Sequence, residues 1–98
     1  MSDLKVKRVI LYLLTARDLI ETGKPWYQPQ PYALAAIKDC DDAVAALQEQ
    51  GLNNFTVELA MMTISAASQC TRRDREEEIL LSYVTDIGRR WRKEEAQA

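Results

Sequence analysis

Histidine is missing from all 98 residues of the chain. That removes the commonest general base, the usual partner of a serine or cysteine nucleophile and the commonest transition-metal ligand. Cysteine occurs only as Cys40 and Cys70. Two distant cysteines without histidine do not make a zinc site, which needs four ligands in its structural form. Glycine and proline number three each, too few for a fold built of strands joined by tight turns. The glycines stand 28 and 37 residues apart, so no glycine-rich phosphate loop exists. Basic residues are absent between Lys38 and Arg72, while Asp39, Asp41, Asp42, Glu49 and Glu58 all fall there.

The remaining charge is divided by position. Lys5, Lys7 and Arg8 lie near the start, and Arg89, Arg90, Arg92 and Lys93 near the end, around an acidic middle. The formal net charge of -2 gives no global basic field for nucleic acid or an anionic membrane. An apolar fraction of 47% with 29% charged residues is that of a globular protein. The length predicts one helical domain over residues 1–98 with a modest core. The opening residues carry no small-residue cleavage site, and the apolar run after Arg8 meets Arg17 and Asp18 far short of the ~20 residues needed to span a bilayer. A cytoplasmic protein without a membrane anchor is expected, its cysteines reduced.

The pattern predicts an all-α bundle of four helices at about 3–22, 31–50, 54–70 and 74–93, with a frayed tail at 94–98. Val9-Ile10-Leu11-Tyr12-Leu13-Leu14 puts apolar side chains on every side of the first helix, which calls for burial all round. Gly23 is placed to end it. Residues 24–31, Lys-Pro-Trp-Tyr-Gln-Pro-Gln-Pro, form a proline-rich connection whose backbone is held near polyproline geometry. Leu34, Ile37, Val44 and Leu47 are expected to mark the buried side of the second helix, with alanines between them that let a neighbour come close. Gly51-Leu52-Asn53-Asn54 is a short turn in which either asparagine can cap the third helix. That helix is also nearly apolar all round, with Phe55, Leu59 and Met62 on one stripe and Val57, Met61 and Ile64 on another. The first and third helices are therefore expected to be the inner pair. In the fourth, Asp74 and Glu77 have capping-box spacing, and Leu80, Val84, Ile87 and Trp91 form a coiled-coil-like seam.

In an antiparallel pairing of the second and third helices, Cys40 and Cys70 differ in height by roughly 8 Å at ~1.5 Å per residue, which suits thiols better than a disulfide. Asp39, Asp41 and Asp42 fail as a calcium loop, because Ala43, Val44 and Gln50 stand where a ligand, a glycine and a glutamate are required. They read as a solvated helix face. Glu76, Glu77 and Glu78 point in different directions from a helix and read as a favourable first turn. No metal and no cofactor is expected, and no enzyme, although a carboxylate-only site shared between subunits is the alternative. A helix-turn-helix around Gly51 is disfavoured, because residues 55–69 contain no lysine or arginine to neutralise phosphate or read base edges.

Interaction remains. Trp26, Tyr27 and Tyr32, set among prolines, are candidate partner-binding residues, as is Trp91 with Arg89, Arg90 and Arg92 around it. The competing reading has Trp26 pinning the loop to the bundle and the arginines complementing the helix dipole. The expectation is a homodimer with a protein partner: a small adaptor, inhibitor or accessory regulator, of a size that suits a phage or other mobile element. The alternatives are a nucleic-acid-associated regulator using the basic end of the fourth helix and a structural subunit of a larger assembly.

Overall fold

The computed structural model describes residues 2–23, 29–70 and 74–97, with side chains for most of them. The chain is all-helical: α1 (Ser2–Thr22), α2 (Gln30–Gln50), α3 (Asn54–Ser68) and α4 (Asp74–Gln97). No strand occurs among the described residues.

Local chemistry sets the boundaries. Gly23 stops α1 with its N–H donated to the Leu19 carbonyl at 2.9 Å. Pro31 sits in the first turn of α2, where a missing N–H costs nothing. Gly51 ends α2 at φ +70° and ψ -159°, a conformation that side-chain-bearing residues avoid. Asn53 then opens α3 through a reciprocal cap. Its Oδ1 accepts from the Thr56 N–H at 2.8 Å, and its own N–H donates to Thr56 Oγ1 at 2.9 Å. The Thr56 hydroxyl donates to the Gly51 carbonyl at 2.8 Å, which ties the turn to the helix it starts. With three residues between them, α2 and α3 must run antiparallel. The capping box at Asp74 and Glu77, and the side chains of Glu76, Glu78, Leu80 and Val84, lie outside the described residues.

α1 and α3 pack against each other and against both other helices, whereas among the described residues the backbones of α2 and α4 make no close approach. The expected inner pair is the observed one. Val9, Leu13, Ala16 and Ile20 of α1 meet a core completed by Ala60, Ile64 and Ala67 of α3 and by the α2 seam. The bundle is 46 × 25 × 17 Å. Helix axes 8–10 Å apart leave room for about two helices across the thin direction. Each inner helix is thus covered on three sides and faces solvent on the fourth, α1 on one broad face and α3 on the other.

The expected buried side of α2 needs correction. Leu34 is 51% exposed, and Ile37 and Val44 are half-buried; only Leu47 of the four is in the core. The buried residues are Ala33, Ala36, Cys40, Ala43 and Leu47, spaced 3, 4, 3 and 4 apart. Small side chains bring α2 close, and the bulkier residues are left at the flanks. α4 also continues to Gln97, four residues past the expected end at 93, with Glu94 of its last turns ion-paired to Lys5 of α1.

α4 makes its own close approach at Gly88, which is buried. A Cβ there would lie 2.8 Å from Val57 Cγ1 and 3.6 Å from Met61 Sδ on α3. Glycine within a helix costs about 1 kcal/mol relative to alanine, and here it is required by the neighbour. We expect Gly88→Ala to give no gain in urea unfolding of the native chain. In a Val57→Ala background the same change should stabilise by up to about 1 kcal/mol, and this difference between backgrounds measures the contact.

Candidate interaction surfaces

The residues singled out in the sequence are not gathered in one place. Trp26 and Tyr27 lie outside the described residues. Tyr32, on α2, is 65% exposed. With Asp39, Gln69 and Cys70 it borders a groove of about 340 Å³ between α2 and the end of α3. Cys70 is buried at its base, with Sγ 3.5 Å from the Ala66 carbonyl and 4.0 Å from the Tyr32 carbonyl. Both cysteines are buried thiols.

Trp91, Arg89, Arg90 and Arg92 all belong to α4, where Trp91 is half-buried. Arg92 is tied to Glu58 of α3, and Arg90 reaches Asp86 at 3.2 Å one turn back. Arg89 projects into solvent. The ion pair between Lys5 and Glu94 brings the start of α1 beside the end of α4, so the two basic stretches of the sequence meet at one end of the bundle. Acid is interleaved there, because Glu58, Asp86 and Glu94 each hold one of those cations. Among the acidic residues in the middle of the chain, Asp41 is committed to structure. It accepts from Arg17 Nε at 2.8 Å, while Arg17 Nη1 lies 2.9 Å from Glu21. The hydrogen bond to Asp41 is the main cause that holds the Arg17 guanidinium above its ordinary pKa. Among the described residues, no three His, Cys, Asp or Glu side chains are grouped to hold a metal ion. No described helix is long and apolar enough to cross a membrane.

Much of the exposed large apolar surface lies on α1 and α3, the two helices whose apolar patterns call for burial all round. Only part of the Val9–Leu14 run is buried: Val9 and Leu13 are in the core and Ile10 and Tyr12 half-buried, but Leu14 is exposed and Leu11 is 59% exposed. With Leu4, seven residues before Leu11, they form an outward face of α1. On α3, Phe55 is 59% and Met62 67% exposed, again seven residues apart, with Leu59 half-buried between them. Beside Met62, a shallow groove of about 530 Å³ runs between α3 and α4, bordered by Glu58, Met61, Gln69 and Thr85. The seven-residue spacing was a visible signal. What hid its meaning is that an apolar stripe looks the same whether a helix of the same chain covers it or nothing does.

Compared with protein-family models, with curated proteins and with solved structures, the chain matches none. Its class is therefore set by the fold alone: a small all-α bundle.

The exposed faces make a direct prediction about stability. Phe55→Ser and Met62→Ser should each change the unfolding free energy by no more than about 0.5 kcal/mol, as surface changes do. Ile64→Ala, at a fully buried position on the same helix, should cost about 2–5 kcal/mol. A loss at Met62 equal to that at Ile64 would place the α3 stripe in the core.

Proposed function

We propose that the chain is a non-catalytic protein-binding module acting as a homodimer, a small adaptor, inhibitor or accessory regulator. One observation carries this reading. Both inner helices turn large apolar side chains to solvent on opposite broad faces, Leu4, Leu11 and Leu14 on α1 and Phe55 and Met62 on α3. Apolar stripes of this kind, kept on a chain with charge to spare elsewhere, are how a small protein meets partners. Two faces provide for two contacts, one with a second copy and one with a different protein. The α3 face has the composition of a peptide groove. Aromatic and thioether side chains stand beside a shallow channel that takes an amphipathic helix. Tyr32 and Trp91 contribute further aromatic surface at the edges of the bundle.

The test has two parts. Sedimentation should show a dimer at micromolar concentration, and a monomer at every concentration would end the homodimer reading. Affinity capture from the native host should retain a specific protein that is lost with a Phe55→Ser/Met62→Ser chain. Equal capture by both chains would remove the α3 face from the proposal.

A second reading, a nucleic-acid-associated regulator, is favoured by the meeting of the α1 start and the α4 end. It predicts binding that falls steeply with salt and is lost in the Arg89→Ala/Arg90→Ala/Arg92→Ala chain. Salt-insensitive or unaltered binding would count against it. A structural subunit would instead form higher-order oligomers.

A further inference from the structure

We infer that the second copy docks on the outward face of α1, antiparallel, about a twofold axis midway between Tyr12 and Leu13. The inference rests on the homodimer reading above and adds the surface, the orientation and the register.

The outward face of α1 carries Leu4, Lys7, Leu11, Leu14 and Asp18, all exposed. Four of these positions are symmetric about one point, while Leu4, at the rim, has Glu21 as its counterpart. Leu11 and Leu14 lie equally far on either side of it, and so do Lys7 and Asp18. Two copies placed antiparallel about that point bring Leu11 of each against Leu14 of the other. Lys7, with Arg8 beside it, then faces Asp18 of the second copy at both ends. At ~1.5 Å per residue the charged pairs fall about 8 Å from the axis, about one turn beyond the leucines. A twofold interface demands this self-complementarity, residue i meeting j and j meeting i. A parallel pairing would set Lys7 and Arg8 against their own copies, and Asp18 against Asp18. Sliding the antiparallel pair one turn either way puts one of the two central leucines, Leu11 or Leu14, opposite a charge.

Two further observations fit. Lys7, Arg8 and Asp18 form no ion pair with any described residue, whereas Lys5, Arg17 and Glu21 on the same helix are engaged within the chain. The charges with a job inside the bundle are paired already; the three left over among the described side chains of α1 are those that the antiparallel copy would meet. The face is widened on one flank by Tyr83 of α4, half-exposed and stacked on Tyr12 with ring centroids 5.4 Å apart. A standard interface takes about 800 Å² from each partner, more than one helix stripe supplies, and the Tyr83 flank contributes to the difference.

A charge-exchange experiment tests the register. Lys7→Glu/Arg8→Glu makes the face wholly acidic, and Asp18→Lys makes it wholly basic. All three positions are exposed, so neither change is expected to unfold the chain, and circular dichroism checks this. Each variant alone should dimerise at least about tenfold more weakly than the native chain, because like charges then oppose at both ends. Mixed together, the two should form a one-to-one heterodimer in which every opposed pair is again of opposite sign. Native-strength self-association of either variant, or a mixture that stays monomeric, would overturn the inference. So would loss of the native dimer in the Phe55→Ser/Met62→Ser chain with the two α1 variants unaffected, since the copy would then sit on α3. A native chain that is monomeric throughout would defeat the homodimer reading itself. A native dimer indifferent to these α1 changes would leave that reading standing and remove only the register.

Discussion

The structure is governed by how much helix four helices can cover. A helix that is apolar around its whole circumference needs neighbours on every side, and a four-helix arrangement with a short diagonal supplies three. α1 and α3 occupy that diagonal, each packed on the other and on both flanking helices. The uncovered fourth side of each is the broad face of a body 17 Å thick. Everything of interest on the surface follows from this shortfall: the leucines of α1, the Phe55 and Met62 stripe of α3, and the pairing of outer helices with the inner ones by small residues or glycine. Close approach at the Ala33–Leu47 seam and at Gly88 draws α2 and α4 inward, which strengthens the core without extending the coverage.

The architecture was legible in the sequence wherever local chemistry decided it. Gly23, Pro31, Gly51 and Asn53 each act within one turn of themselves, so the helix boundaries they imply are those observed. The inner pair was legible too, because the Val9–Leu14 run of the first helix and most of the third carry apolar residues on every side. The buried face of α2 was not, since large residues draw attention as core formers. The 3-4-3-4 spacing of Ala33, Ala36, Cys40, Ala43 and Leu47 was present throughout, but it names the core only once the neighbour's distance is known. Gly88 was unreadable for the same reason, being a response to Val57 on another helix.

The candidate surfaces divide along similar lines. Composition pointed to aromatic and arginine-rich segments, yet Arg90 and Arg92 are matched by Asp86 and Glu58. These are contacts of one turn and of neighbouring helices, the second of which depends on tertiary structure. The run Val9–Leu14 did signal a demand for burial beyond what one chain offers. Which residues would be left over depended on where the two outer helices settled, and only the fold reveals that Leu11 and Leu14 are the remainder.

The separation of α2 from α4 has an architectural side. The backbones of the two outer helices stay apart among the described residues, and each is joined closely only to α1 and α3. The bundle is in effect two three-helix units that share a common spine.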